Sequence, residues 1–222
     1  MTITDLLAIY ERKKAKFGNE AYKYLSQIFE EAKQVHKDYA LQKGISDTEQ
    51  SWRAFKGKNL EKLIEYIIAD SVRNLGLEII NGNKLEKTKN LPKNLEIIKR
   101  NLCVDYGEFG MHLPDVDMVI FEPKSLKIIA VLSSKVTLRE RIAQTGYWKL
   151  KLLQSSVTKH IKVFFITLDE DETLRVKNPA KKGRAICEVD TDGCYILSNA
   201  DFEPSKKVKL FEEFISDLGK IL

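Results

Sequence analysis

Apolar residues in the first third of the chain recur at helical spacing. From Ala21 onwards they come mostly three or four positions apart, which places them on one face of a helix and predicts a buried stripe. The stripe consists of Leu25, Ile28, Phe29, Ala32 and Val35. A second pattern of this kind covers residues 58–75, and Gly76 follows it as the predicted C-cap. We therefore expect the N-terminal part of the chain to be helical.

Beyond Gly76 the pattern changes to short runs rich in β-branched and aromatic residues, which favour strands. We predict strands over residues 97–104, 116–121, 127–133, 161–168, 185–189 and 194–197. The second and third are joined by a polar, proline-containing sequence, EPKS, and are predicted to form an antiparallel hairpin. Helical spacing returns over 138–154 and again from Ser205. The predicted buried residues of these two helices are Ile142, Gly146, Leu150 and Leu153, and then Val208, Phe211, Ile215 and Leu218.

The order helix, hairpin, helix, strand is typical of an α/β fold. We expect a sandwich-like core with a mixed β-sheet flanked by helices. No glycine- or serine-rich linker interrupts the chain. We divide it into an N-terminal helical subdomain, residues 1–56, and a core, residues 57–222.

Composition narrows the kind of protein. Lys and Arg number 37 against 32 Asp and Glu, and the resulting net charge of +5 permits an anionic partner without requiring one. Cys103, Cys187 and Cys194 are widely spaced and odd in number, which fits a reducing cytoplasm better than a disulfide framework. The histidines are not spaced as zinc ligands. Neither a signal peptide nor a membrane-spanning run is present in the sequence, so we expect a cytoplasmic protein without a membrane partner.

Acidic residues begin one strand of the predicted hairpin, and a lysine ends the other. Asp115 and Asp117 are two positions apart, so on a strand they share a face, as do Ser133 and Lys135. If the turn centres on residues 124–125, position 117 lies opposite 133, and position 115 lies opposite 135. Two carboxylates and an ammonium group then converge. Phosphodiester hydrolysis needs such a set, because carboxylates hold a divalent cation and a lysine orients or activates water.

These residues resemble the active-site motif of the PD-(D/E)XK nucleases, specifically of type II restriction endonucleases. The match consists of Pro114-Asp115, an apolar strand, and Ser133-Ser134-Lys135. A serine in the acidic position is similar to the S-x-K variant of the restriction enzymes that read CCGG-type sites. The resemblance implies a restriction-endonuclease-like core in which Asp115 binds Mg²⁺, Lys135 assists the attacking water, and Ser133 occupies the acidic position of the motif.

The sequence Arg139-Glu140-Arg141 follows the lysine at the start of a predicted helix. In the CCGG-reading subgroup, arginines flanking an acidic residue occupy this place. A helix N-terminus in the major groove can present such residues to base edges, where arginine bonds to guanine and glutamate accepts from cytosine. We predict that these three residues and Gln144 bind DNA. The alternatives are a solvated helix end for the arginines and a capping box with Thr137 for Glu140, which is compatible with base reading.

The sequence leaves the second metal-binding carboxylate open. The CCGG-reading subgroup places a glutamate further along this helix, whereas here no acidic residue follows Glu140 until Asp169. Asp117 is one candidate, because it is predicted to face the site. Glu61 is the other, since it resembles the helix glutamate that many of these nucleases contribute, and Glu65 lies one turn beyond it. A surface salt bridge with a neighbouring lysine is the non-catalytic alternative for Glu61.

We therefore expect a Mg²⁺-dependent type II restriction endonuclease that makes double-strand cuts at a short, G/C-containing palindromic site. A palindromic site requires two-fold symmetry, so the expected partners are double-stranded DNA and a second copy of the chain in a homodimer. The sequence leaves two alternatives. One is a structure-specific or repair nuclease on the same core, and the other is a non-catalytic DNA-binding module that retains it.

Overall fold

Helices predominate in the N-terminal part of the chain and alternate with short strands in the rest. The computed structural model describes residues 1–138, 141–197 and 201–222. Within these ranges the helices are α1 (Ile3–Phe17), α2 (Leu25–Gln42), α3 (Thr48–Asn74), α4 (Gly82–Lys87), α5 (Lys93–Leu102), α6 (Arg141–Leu153), α7 (Lys182–Asp190) and α8 (Phe214–Gly219). The strands are β1 (Glu78–Asn81), β2 (Val104–Asp105), β3 (Met111–His112), β4 (Met118–Phe121), β5 (Ile128–Lys135), β6 (Lys162–Thr167), β7 (Gly193–Ile196) and β8 (Val208–Leu210).

The described residues form one six-stranded sheet in the order β1-β4-β5-β6-β7-β8, while β2 and β3 pair separately. The strands β1, β4 and β5 are antiparallel neighbours, whereas β5 to β8 run parallel. The helices α6 and α7 lie in the connections between parallel neighbours, which is the usual way to join parallel strands. The predicted mixed sheet with flanking helices is confirmed.

The predicted hairpin is β4–β5. Its register pairs Met118 with Leu132, with one irregularity near the turn, between Ile120 and Phe121. This is the register in which position 117 lies opposite position 133. The paired part of β4 begins only at Met118, so Asp117 stands just beyond the ladder, where its backbone N–H still donates to Leu132 at 2.9 Å.

The helix α3 packs against one face of the sheet. Its buried residues Leu60, Leu63 and Ile64 belong to the same hydrophobic cluster as Met118 and Leu132. Burying each such aliphatic side chain contributes about 1.5–3 kcal/mol, so this stripe fixes the helix firmly against β4 and β5. The opposite face of the sheet is covered by a second cluster that includes residues of α5 and by a third that includes residues of α6 and α7.

Two predicted strands are wrong. Most of 97–104 lies in α5, which begins after Pro92 and buries Ile98 and Leu102, one turn apart. The run 185–189 lies within α7. Both runs are short and rich in apolar residues, and such runs fit a helix stripe as well as a strand.

Three residues predicted to be buried are exposed: Val35, Leu150 and Leu153. On α2 the buried stripe continues through His36 instead, and on α6 it includes Leu152. The predicted stripes are correct at the start of each helix and deviate only towards its end, where a change of one position turns an apolar side chain from the core to the surface because successive helix positions differ by about 100°.

Two helix boundaries also differ from the prediction. The helix α3 begins at Thr48 and is capped by Asp47, whose side chain accepts from the backbone of Gln50 at 2.8 Å. In the last segment Val208 lies on β8, and α8 begins only at Phe214.

The predicted division into residues 1–56 and 57–222 falls inside α3. Leu6 of α1 and Leu25 of α2 share one hydrophobic cluster with the sheet. The division stays a prediction. Over the part of the chain that the structure describes, none of the helices combines the length and the apolar character needed to cross a membrane.

Candidate active site

Three charged side chains meet at the end of the β4–β5 hairpin. Lys135, the last residue of β5, directs its Nζ at Asp117, 2.9 Å from Oδ2 and 3.1 Å from Oδ1. The same Nζ lies 3.2 Å from Oε1 of Glu61. Glu61 follows the buried Leu60 on α3, so packing of that helix against the sheet brings its carboxylate to the hairpin. Exposure of the three side chains is 19% for Glu61, 9% for Asp117 and 28% for Lys135.

The backbone of the neighbouring strand holds Asp117 in place. The backbone N–H of Ser134 donates to Oδ2 at 2.6 Å, and the Ser134 hydroxyl lies 3.4 Å from the same oxygen. Ser134 is not among the predicted site residues, because its main contact is made by the backbone, which residue types do not reveal.

A close approach by Gly82 fixes the segment that carries Asp117. The Gly82 N–H donates to the carbonyl of Asp117 at 2.8 Å. A Cβ at position 82 would lie 1.8 Å from the carbonyl oxygen of Val116, well inside contact distance. Only glycine therefore lets the start of α4 pack against this segment without moving it.

Burial and like charge set the protonation of the cluster. Desolvation, followed by the charge of Asp117, raises the pKa of Glu61 from 4.5 to about 7, against the opposing effect of Lys135. Desolvation alone would lower the pKa of Lys135, but Asp117 and Glu61 outweigh it, and the net pKa is raised. The lysine is therefore a cation at neutral pH, and Glu61 is poised to take up or release a proton there.

Asp115 lies outside this cluster. Its carboxylate is exposed and accepts a hydrogen bond from the side-chain amide of Gln144 at 2.8 Å. The carbonyl oxygen of that amide lies 3.5 Å from the guanidinium of Arg141. The predicted convergence of Asp115 with Lys135 is not seen: the β4–β5 ladder ends at Met118, and the carboxylate of Asp115 contacts Gln144. The structure instead joins Asp115 to the predicted DNA-binding residues at the start of α6.

The remaining predicted site residues that the structure describes form no hydrogen bond or ion pair with the three charged side chains. Ser133 is buried, at 8% exposure, and makes no hydrogen bond to Glu61, Asp117 or Lys135. Arg139 and Glu140 lie outside the described residues, and so does the predicted capping of α6 by Glu140. Glu65 is a turn beyond Glu61 on α3; burial raises its pKa, and the groups that oppose this are Asn81, Lys84 and Lys62, none of which belongs to the cluster.

The cluster suits a hard divalent cation held by few protein ligands. No group of three or more His, Cys, Asp or Glu side chains with metal-binding geometry occurs among the described residues. Mg²⁺ needs no such group, since it is usually bound by one or two carboxylates and keeps several waters. Burial first, and then the negative charge of Asp117, raise the pKa of Glu61, and a divalent cation bound by both carboxylates would offset the repulsion between them.

Two solved structures that share this fold are restriction endonucleases bound to DNA. A complex of the restriction endonuclease PspGI with substrate DNA aligns over 100% of this chain and 96% of its own, at a TM-score of 0.56 and 17% identity. A complex of the specific restriction endonuclease AgeI with DNA aligns over 97% of this chain and 92% of its own, again at a TM-score of 0.56 and 17% identity. At this identity the likeness shows the fold, and the predicted restriction-endonuclease-like fold is confirmed.

Sequence similarity identifies the family of restriction endonucleases to which the chain belongs. Residues 94–217, more than half of the chain, match the BsaWI restriction endonuclease type 2 family. The chain is 36% identical over 227 residues to the putative type II restriction enzyme MjaVIP of Methanocaldococcus jannaschii, covering 100% of this chain and 95% of that protein. It is 37% identical over 172 residues to the probable type II restriction enzyme HpyAORF263P of Helicobacter pylori, covering 73% of this chain and 88% of the relative. The chain belongs to the BsaWI family of type II restriction endonucleases, and the predicted enzyme class is confirmed.

Proposed function

We propose that this enzyme makes Mg²⁺-dependent double-strand cuts at a short palindromic DNA site that contains G·C pairs. The observation that carries the proposal is the convergence of Glu61, Asp117 and Lys135 at the end of the hairpin. Family membership supports DNA as the substrate, and the fold is shared with enzymes seen in complex with DNA.

Asp117 and Glu61 would hold the cation. Asp117 has the more fixed carboxylate, because the Ser134 backbone binds it from one side, and Glu61 approaches from α3. When bound, Mg²⁺ supplies positive charge to the phosphate and lowers the pKa of a coordinated water. Ionised Glu61 is required for this role, so a cation and a proton compete for the same carboxylate.

Lys135 acts as a donor. Against the effect of burial, Asp117 and Glu61 raise its pKa, so Lys135 is a cation at neutral pH in the metal-free enzyme, and we assign it no role as a general base. Its ammonium group can orient the attacking water and stabilise negative charge on the phosphate as one bridging P–O bond breaks. Ser133 retains the acidic position of the motif only in sequence, and we assign it no contact with the reacting groups.

Base reading is proposed for the start of α6. Arg141 is exposed there and Gln144 is half-buried, and Asp115 accepts a hydrogen bond from the Gln144 amide and so orients it. Arg139 and Glu140 extend the set by their place in the sequence. Arginine suits guanine, and a glutamine amide suits adenine. The similarity to the CCGG-reading S-x-K enzymes supports a site whose central pairs are G·C.

Palindromic recognition leads us to propose a homodimer, in which each copy reads one half-site and cuts one strand. The decisive experiment is incubation of the purified protein with plasmid DNA and Mg²⁺. Discrete fragments that reappear on plasmids sharing one short sequence support the proposal.

The same reaction separates the alternatives. A structure-specific nuclease would leave linear duplex intact and cut branched or damaged DNA. A non-catalytic module would bind without cutting, and its DNA affinity would not depend on Ca²⁺, which is used in place of Mg²⁺ to permit binding without cleavage.

A further inference from the structure

A polar cleft adjoins the cluster of Glu61, Asp117 and Lys135. It has a volume of about 550 Å³ and lies between α3, the end of β5 and the start of α6. Its charged and polar lining comes from Arg53, Lys56, Lys135, Thr137, Arg141 and Glu170. Lys135 belongs to both the cleft and the cluster, so a ligand in the cleft would lie next to the reacting phosphate.

The cleft is strongly basic. Among the described residues that line it, four are cationic and one, Glu170, is anionic. Arg53 is exposed and forms no ion pair with any residue of the described ranges. Lys56 is bound by Glu170, with its Nζ 2.7 Å and 2.9 Å from the two carboxylate oxygens.

In the ion pair between Lys56 and Glu170, the carboxylate is the partner that an incoming anion can replace. Lys56 is only 14% exposed along its side chain, while Glu170 is 38% exposed. The backbone N–H of Glu170 donates to the carbonyl of Val136, the residue after β5, at 3.3 Å. The side chain of Lys56 is thus held at the wall of the cleft, while the carboxylate of Glu170 faces solvent. An anion that enters the cleft from solvent can therefore replace this carboxylate as the partner of Lys56.

We propose that this cleft binds a backbone phosphate of the DNA strand next to the phosphate being cut, with Arg53 and Lys56 as its ligands. Glu170 occupies the position of that phosphate in the free enzyme and is displaced by it. The inference rests on the proposed function, because it takes DNA as the substrate. It assigns to the N-terminal part of α3 a role in DNA binding that neither the sequence motif nor the catalytic cluster requires.

Substitution of each partner of the ion pair distinguishes phosphate binding from a purely structural role of the pair. Loss of Lys56 removes a phosphate ligand, so Lys56→Ala should weaken DNA binding. Glu170→Gln removes the competitor and its negative charge, so it should tighten binding. An ion pair that merely stabilised the fold would make both substitutions act in the same direction.

Binding should be measured by fluorescence anisotropy with a short duplex that lacks the recognition site, in Ca²⁺ and over a range of salt concentrations. Phosphate contacts are independent of sequence, so the cleft should contribute fully to this probe. The log of the affinity falls with the log of the salt concentration, and each lost contact should make this fall less steep, by about 0.9 in the slope. That change corresponds to about five- to tenfold weaker binding near 0.1 M salt. This result is expected for Arg53→Ala and for Lys56→Ala, and Glu170→Gln should bind several times more tightly than wild type.

Lys58→Ala is the matched control. It makes the same charge change on the same helix, but position 58 does not line the cleft, since side chains two residues apart diverge by about 200°. The proposal is overturned if Lys58→Ala weakens binding as much as Lys56→Ala, or if Lys56→Ala and Glu170→Gln shift affinity in the same direction while both variants melt like wild type. Plasmid cleavage by the wild-type enzyme tests the proposed function separately, so either idea can fail without the other.

Discussion

Glu61 should limit the stability of the metal-free enzyme, and its replacement should relieve that limit. The pKa of Glu61 rises from 4.5 to about 7 in the folded protein, and at about 1.4 kcal/mol per pKa unit this corresponds to a cost of about 3 kcal/mol once the carboxylate is ionised. The uncharged Gln in Glu61→Gln carries no such cost. The variant should therefore be more stable than wild type at pH 8. A gain of up to about 3 kcal/mol is expected, and this figure already includes the attraction between Glu61 and Lys135, because that attraction opposes the shift in the pKa of Glu61.

The sign of the pH dependence follows from the direction of the shift. Between pH 4.5 and about 7 the folded protein binds more protons at Glu61 than the unfolded chain does, so stability falls as pH rises through this range. The cost is complete above pH 7 and absent below pH 4.5. The advantage of Glu61→Gln should thus be largest at pH 8 and should shrink as the pH approaches 4.5.

Urea denaturation in EDTA at pH 8 and pH 5 measures this difference. With a slope of about 1–3 kcal/mol per molar urea, the midpoint of Glu61→Gln should lie roughly 1 M or more above that of wild type at pH 8. Glu30→Gln, a substitution at an exposed position of α2, is the control and should leave the midpoint unchanged. Addition of Ca²⁺ should stabilise wild type more than the variant, because only wild type offers both carboxylates. A Glu61→Gln midpoint at or below wild type at pH 8 would refute the reasoning.

Three further predictions concern the scaffold, the cation and base reading. Gly82→Ala should lower the free energy of unfolding by about 1–3 kcal/mol, because its Cβ would meet the chain that carries Asp117, and thermal melting checks it. Ca²⁺ affinity in the absence of DNA, measured by calorimetry, should rise about tenfold per pH unit up to about pH 7 and then level off as Glu61 becomes ionised, whereas a flat profile would contradict its role as a ligand. Arg141→Ala should lose about 1–3 kcal/mol of discrimination between the recognition duplex and one with its central pairs exchanged, measured by competition binding, and an unchanged ratio would remove this residue from base reading.

The parts of the fold that follow local rules could be predicted from the sequence. The β4–β5 hairpin and its register follow from two apolar runs and one polar turn, and they are enough to bring position 117 to the end of β5. The helix that carries Glu61 is predictable because apolar residues recur at helical spacing over a long segment. By contrast, α5 and α7 contain apolar runs too short to distinguish a helix from a strand, and their state is decided by packing against the sheet.

The candidate site was predictable only where residue type determines the contact. Lys135, Asp117 and Glu61 carry charges that the proposed chemistry requires, and all three are candidates from the sequence. Asp115 follows proline in the motif, but the end of the ladder at Met118 places it beside Gln144 instead. That end is set by strand pairing, which a motif does not encode.

Other contributors lie beyond what any motif states. Ser134 binds Asp117 through a backbone N–H, and Gly82 matters through a missing Cβ. The basic cleft combines residues from three separate segments, and these segments meet only in the folded chain.

The central claim is that Asp117, and not Asp115, supplies the metal-binding carboxylate of the hairpin. It is tested most directly by the single-turnover cleavage rates of Asp117→Asn and Asp115→Asn in Mg²⁺, compared on one plasmid substrate. Asp117→Asn should lose at least about a thousandfold in rate, on the order of 4 kcal/mol in activation free energy, because it removes a charge beside Lys135 and one of the two proposed ligands of the cation. Asp115→Asn should keep the rate within about tenfold of wild type, since its carboxylate contacts Gln144 and not the cluster. The reverse order, with Asp115→Asn inactive and Asp117→Asn active, would contradict the account.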